Sequence, residues 1–308
     1  MELIKCFKAL SDITRLRLLS VLNTYELNVN EIVLVVDMIQ SGVSRHLKIL
    51  VESGLLTSRK DGSFTYYCAV KNEQVNPLIA FVEKHLEKEG DFVLQDLTKA
   101  QEMIRVRQNK TRRFFKTIAP QWDGLKKEVL GNFDLNAVLQ KKISLQGNIA
   151  DLGCGTGELI QTLVCPTVKK LIGVDSSPEM LEQARLRLSR TSAQLRLGEL
   201  EHLPMKNRQM DTVIMNMVLH YISQPDRSIS EAFRVLKPGG LFILSDFEKH
   251  TLEKMKQVMG GSWLGFEKED VNAWMIQAGF RLDTVESFPV NHGLVINVFA
   301  ATKIKMKR

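Results

Sequence analysis

Three glycines at alternate positions, Gly153, Gly155 and Gly157, follow directly on the short apolar run Ile149-Ala150-Asp151-Leu152, with Cys154 between the first two. A helix-like stretch starts at Glu158. That is the pattern of a buried parallel strand turning sharply into a helix. Glycine suits such a turn because a Cβ would block either the turn or the close approach of a ligand to the backbone. In open α/β sheets the turn lies at the carboxyl edge of the strands, where ligands bind. The spacing is G-x-G-x-G and not the G-x-G-x-x-G of dinucleotide binders, so a pyrophosphate cradle is the weaker reading. Eighteen residues past Gly157, Asp175 closes a second apolar run, Leu171-Ile172-Gly173-Val174. A carboxylate at the tip of a second strand can accept both hydroxyls of a ribose. Glycine loop and ribose acid together point to an adenosine-containing ligand.

Two further sets of residues carry chemistry. His220 and Tyr221 follow a fourth strand-like run, residues 211–216, and Asp246 ends a fifth, residues 241–246. Each is a candidate base for a group that must lose a proton, and each could equally line a wall. The second set is basic and polar. In the helix-like segment 41–50, Val43, Leu47 and Leu50 form an apolar stripe, while Ser44, Arg45 and Lys48 point the other way. With Ser41 and His46 they offer donors to the phosphates and base edges of a DNA major groove. Arg59 and Lys60, beside the Asp61-Gly62 hairpin tip, would lie near the phosphate backbone.

These sets need two frameworks, and 308 residues suffice for two domains, each with its own core. Hydrophobic residues make up 44% and charged residues 25%, the mix of a soluble globular protein. No apolar run approaches the length of about 20 residues that a membrane helix needs, and the amino terminus lacks the features of a signal peptide. Cys6, Cys68, Cys154 and Cys165 are scattered with no C-x-x-C pair, which fits reduced thiols in a cytoplasmic protein and no metal site. The net charge of +7 favours an anionic partner without naming one. Basic residues in the 110–116 stretch and the 303–308 tail are as consistent with a solvated surface.

In chain order, helical spacing covers residues 3–10 and 13–22, with Ser11-Asp12 as N-cap, and a short helix covers 30–37. The 41–50 helix ends at Gly54, and strands at 55–60 and 64–70 form a hairpin. Helix-turn-helix followed by a hairpin is a winged helix, mainly α. The segments Ala9-Leu10-Ser11-Asp12-Ile13-Thr14-Arg15-Leu16-Arg17-Leu18-Leu19, Gly42-Val43-Ser44-Arg45-His46-Leu47-Lys48-Ile49-Leu50 and Gly54-Leu55-Leu56 resemble the ArsR/SmtB family of winged-helix regulators. Metal-sensing members hold thiolates in an E-L-C-V-C-type box. The same box here is Glu26-Leu27-Asn28-Val29-Asn30, and amides do not replace soft sulfur, so no metal sensing is expected there. Residues 75–110 read as a helical linker or dimerisation segment with a break at Gly90-Asp91. A homodimer is expected, since two-fold operators need two reading helices; intradomain packing is the other reading of those helices.

From residue 111 the chain resembles class I S-adenosylmethionine-dependent methyltransferases, a Rossmann-like α/β fold with a seven-stranded sheet. D-L-G-C-G-T-G (151–157) and G-V-D-S-S-P-E-M-L (173–181) match motifs I and II, and L-K-P-G-G (236–240) is the family's turn before strand five. The resemblance implies S-adenosylmethionine or S-adenosylhomocysteine as cofactor. It assigns the loop residues Asp151, Gly153, Cys154, Gly155 and Gly157, then Asp175, Ser176 and Met180, to binding it. Glu199 stands where family members carry an aspartate for the adenine amino group, beside Leu200. Asn216 follows strand four, and Trp122 in the F-x-x-x-A-x-x-[YW]-D segment (115–123) could wall the pocket or pack in the core. Methyl transfer is a displacement that demands alignment, with a base only where the acceptor loses a proton. Arsenite methylation is disfavoured, because the cysteines supply no thiolate trio. The expected domains are 1–74, 75–110 and 111–308. The expected function is a DNA-binding transcriptional regulator of the ArsR type whose cofactor binding is coupled to operator binding. The alternative is an active methyltransferase of a small molecule, whose winged helix autoregulates its operon or only dimerises.

Overall fold

The computed structural model describes residues 3–86 and 91–304. The chain divides into two compact units, Met1–Gln108 and Asn109–Arg308. Gly90, expected at a helix break, lies outside the described residues, as do Lys305, Lys307 and Arg308 of the basic tail.

The first unit runs α1 (Leu3–Leu10), α2 (Ile13–Thr24), β1 (Leu27–Asn28), α3 (Val29–Val36), α4 (Gln40–Glu52), β2 (Leu56–Asp61), β3 (Phe64–Ala69) and α5 (Asn76–Leu86). β2 and β3 pair as the expected hairpin, and β1 adds to the other side of β3. Asp12 caps α2, its carboxylate accepting the Arg15 N–H at 3.0 Å. Asn28 caps α3: its side chain accepts the Glu31 N–H at 3.1 Å, and the Glu31 carboxylate accepts the Asn28 N–H at 2.9 Å. The asparagine in the thiolate box therefore has a backbone to satisfy. Leu18, Leu19, Leu22, Ile32, Leu47 and Leu50 fill the core, each stabilising by roughly 1.5–3 kcal/mol on burial. Next comes α6 (Phe92–Ile118), 27 residues without interruption. It passes through position 110, where a linker was expected to end, and the boundary between the two units falls inside it.

The second unit continues with α7 (Trp122–Leu130), α8 (Leu135–Lys142), β4 (Gly147–Leu152), α9 (Glu158–Thr162), β5 (Val168–Asp175), α10 (Pro178–Arg187), β6 (Gln194–Leu197) and β7 (Met210–Asn216). Then follow α11 (Pro225–Val235), β8 (Leu236–Phe247), α12 (Lys254–Met259), α13 (Lys268–Ala278), β9 (Phe280–Pro289) and β10 (Val295–Lys303). The sheet has seven strands in the order β6-β5-β4-β7-β8-β10-β9, the first five parallel and β10 antiparallel to both neighbours. Strand order reverses on either side of β4, so its carboxyl end is the switch point where such sheets take ligands.

Two expectations are corrected. Residues 236–240 are not a turn ahead of the fifth strand but part of β8, where pairing slips from Met210 opposite Leu236 to Thr212 opposite Leu241. Lys303 is no tail residue: it is buried, its Nζ donating to Phe233 O at 2.5 Å and Leu236 O at 2.9 Å. The carbonyls at the end of α11 lack intrahelical donors, and this ammonium supplies one. Among the described residues no helix is long and apolar enough to cross a membrane.

Candidate functional site

The loop after β4 is drawn against the tip of β5. Gly153 and Cys154 N–H both donate to Val174 O, at 2.7 and 3.1 Å. Gly153 has φ +78°, and a Cβ there would come within 2.3 Å of Val218. Gly155 has φ +53°, and the one neighbour near its missing Cβ is the Trp122 indole at 3.6 Å. That glycine leaves a backbone face open beside an aromatic wall.

Asp175 sits under this face with both oxygens engaged: one accepts the Gly155 N–H at 2.8 Å, the other the Ser177 N–H at 2.9 Å. Burial pushes its carboxyl above the ordinary value and the charge of Glu199 adds to that, against the pull of the N–H groups. Asp151 is fully buried, and its Oδ1 has no hydrogen-bond partner among the described residues. Burial, and after it the charge of Asp175, pushes the Asp151 carboxyl up to about 7. An unpaired carboxylate oxygen of this kind calls for a donor.

Other expected contacts divide. Glu199 is half-buried and ion-paired with Arg112, near the end of α6. Asn216 stands at the end of β7, its Oδ1 accepting the Ser245 hydroxyl at 2.7 Å. Ser176 is half-buried between Asp175 and the start of α10. Cys154, Met180 and Leu200 have buried side chains, the first two within the core cluster, so a contact to the cofactor from these positions would come from the backbone. The alternation of the loop turns the Cys154 thiol inward, and burial holds it well above its ordinary value.

Sequence reasoning missed a polar clamp that closes α7 onto the loop. The Thr156 hydroxyl donates to Asp123 at 2.7 Å, and Arg187 donates to Thr156 Oγ1 at 2.7 Å, to Thr156 O at 2.9 Å and to Asp123. Burial pushes the Asp123 carboxyl up, but its bonds to Arg187 and Thr156 outweigh that and leave it lowered. The Trp122-Asp123 dipeptide was a signal for half of this; nothing in the sequence pointed to Arg187. Trp122 is buried, meeting Phe115 at 5.3 Å and Tyr221 at 6.1 Å between ring centroids.

The three base candidates come together. His220 and Tyr221 lie in a short 3-10 turn, Leu219–Tyr221, just past β7, and Asp246 lies in β8 beside it. His220 Nδ1 is 2.8 Å from one Asp246 oxygen, and the His220 backbone N–H donates to the other at 3.2 Å. The pair is shut away, each 2% exposed. The His220 and Tyr221 rings are 4.0 Å apart. His220 Nε2, the Tyr221 hydroxyl and the Ser223 hydroxyl are buried with no partner among the described residues. Burial, with Asp246 nearby, holds the Tyr221 phenol well above its ordinary value. It stays a neutral donor.

On α4, Ser41, Ser44, Arg45 and Lys48 are exposed on one face, and Lys60 is exposed on β2. Two expected partners of DNA, His46 and Arg59, are half-buried and face carboxylates of their own unit. His46 turns back to Asp12, Nδ1 to carboxylate 3.7 Å. Arg59 donates to both oxygens of Glu26, at 2.6 and 3.0 Å, and packs over the Tyr66 ring. Among the described residues no cluster of three or more His, Cys, Asp or Glu could hold a metal.

Residues 150–244 match the model of a methyltransferase domain, and residues 12–58 match that of bacterial regulatory proteins of the arsR family. The malonyl-acyl-carrier-protein O-methyltransferase of Hahella chejuensis is 31% identical over 189 residues, 56% of this chain and 68% of that protein. The arsenite methyltransferase of Halobacterium salinarum is 36% identical over 104 residues, 32% of this chain and 26% of that protein. Across the first curated relatives the chain spans from 26% to 68% of their length. A methyltransferase solved in complex with the Haloferax volcanii Trm112 methyltransferase activator superposes with a TM-score of 0.55 at 17% identity, over 64% of this chain and 99% of that one. At that identity the likeness is one of fold.

Proposed function

Since the chain belongs to the methyltransferase-domain family and carries an arsR-family segment ahead of that domain, we propose that it is a DNA-binding transcriptional regulator whose ligand-binding state sets its affinity for an operator. The ligand is S-adenosylmethionine or S-adenosylhomocysteine. The residues present fit it: Asp175 for the ribose, the open Gly155 backbone beside Trp122, Glu199 for the adenine amino group and the unpaired Asp151 oxygen for a donor such as the ligand's ammonium. When bound, S-adenosylmethionine supplies an electrophilic methyl group on a sulfonium. Ser41, Ser44, Arg45 and Lys48 would meet DNA, and Lys60 its backbone.

The observation that carries the coupling is α6. Arg107 on this helix donates to Glu31, the residue that closes the cap of α3, which directly precedes α4. Five residues on, Arg112 is held by Glu199. A ligand that takes Glu199 releases Arg112, so ligand and ion pair compete for one carboxylate. Coupling needs such a difference between liganded and unliganded states.

Fluorescence anisotropy of a labelled fragment from upstream of the gene tests this, with no ligand, with S-adenosylmethionine and with S-adenosylhomocysteine. A spread of tenfold or more, about 1.4 kcal/mol, supports coupling, and Arg112→Ala should shrink it. Tight DNA binding indifferent to all three conditions overturns it. A second reading, methylation of a small molecule by the same domain, is favoured by the His220–Asp246 pair.

A further inference from the structure

We propose that His220 is the base of an active methyltransferase site whose acceptor is a planar, apolar molecule bearing an ionisable hydroxyl, a phenol or enol. This rests on the reading that the second unit binds S-adenosylmethionine. With Nδ1 facing an Asp246 oxygen at 2.8 Å, the imidazole proton lies on Nδ1 and Nε2 keeps its lone pair. Among the described residues nothing takes up that lone pair, and nothing takes up the Tyr221 hydroxyl, whose ring stands beside the imidazole. Each buried polar atom left alone costs about 1–3 kcal/mol, and among the described residues His220 Nε2, Tyr221 Oη and, two residues on in the chain, Ser223 Oγ are such atoms.

The set selects its guest. One bare acceptor beside neutral donors matches an O–H, which gives a proton to Nε2 and receives a hydrogen bond from Tyr221. A carboxylate would already be ionised and would face Asp246. Phe115, Trp122 and Phe247 add aromatic surface, at 4.8 Å from Tyr221, 6.1 Å from Tyr221 and 5.2 Å from His220. Trp122 also walls Gly155, so the base lies within two rings of the glycine loop. In the reaction the acceptor O–H bond breaks and its proton goes to His220 Nε2. The oxygen lone pair forms the new O–C bond while the methyl–sulfur bond breaks, its electron pair staying on sulfur to leave a neutral thioether. His220 then returns the proton to solvent. Asp246 is a positioning residue, fixing the tautomer and the turn.

The test uses the full chain saturated with S-adenosylhomocysteine and 4-nitrophenol as probe, whose phenolate is read by its yellow absorbance. In the wild type the bound probe should ionise at least about one pH unit below the free probe. His220→Gln should abolish that shift and cut methyl transfer from S-adenosylmethionine to the probe by about 100-fold or more, with S-adenosylhomocysteine affinity and Tm retained. Failure of the probe to bind the saturated protein, or ionisation unshifted in the wild type, overturns the proposal without needing a variant. So does a shift that survives in His220→Gln. Absence of S-adenosylhomocysteine binding, measured first by calorimetry, overturns the underlying functional reading instead.

Discussion

On α4, Ser41, Ser44, Arg45 and Lys48 stand exposed to solvent, whereas past β7 His220 Nε2 and the hydroxyls of Tyr221 and Ser223 are enclosed with no partner among the described residues. The exposed face costs the fold nothing, and its energy comes from counterions released when a polyanion arrives. The enclosed set stands at a loss until a partner with matching donors and acceptors fills it. A charged face is therefore tolerant of sequence and sensitive to salt, while an enclosed set of unmet atoms is selective and largely blind to salt. Finding both in one chain argues for two ligands of different kinds.

The comparison breaks most readily at Asp175, which holds the loop and is the expected ribose partner. Asp175→Ala should lower affinity for S-adenosylhomocysteine by about 100-fold or more, near 3 kcal/mol, by calorimetry; a loss under threefold would remove it from the site. Asp151 gauges the standing cost of enclosure. Its carboxyl is raised from 3.8 to about 7, so the ligand-free fold is favoured while it is protonated and loses stability as pH rises from about 4 through 7. Asp151→Asn should then stabilise by on the order of 2 kcal/mol at pH 8 and by little at pH 4, read from denaturant midpoints; equal effects at both pH values would refute the assignment. At the open face, Arg45→Ala with Lys48→Ala should weaken DNA binding about tenfold and reduce the salt slope by about two. An unchanged slope would mean that α4 does not meet phosphates.

Much of this was legible because it is local. Alternating glycines, an acid eighteen residues on and a D-G hairpin are written in consecutive residues, and so were the sheet and the winged helix. What was not legible depended on partners brought in by folding. The sequence carries no sign of the carboxylates that face His46 and Arg59, because Asp12 and Glu26 are distant in sequence and come near only in the fold. His220 and Asp246 are 26 residues apart, and only the parallel register that sets Asn216 beside Ser245 puts them side by side. Lys303 looked like tail because the carbonyls it serves belong to another element. The continuity of α6 was hidden because composition changes along it while the helical spacing does not.

The unpaired Asp151 oxygen has a consequence in heat rather than in shape. A carboxyl that titrates near 7 is partly protonated at neutral pH, and a ligand ammonium beside it would expel that proton to the surrounding buffer. The enthalpy measured on binding would then depend on which buffer takes the proton, and affinity would climb with pH until the carboxyl is fully charged. A calorimeter run in two buffers of different ionisation enthalpy would count that proton directly.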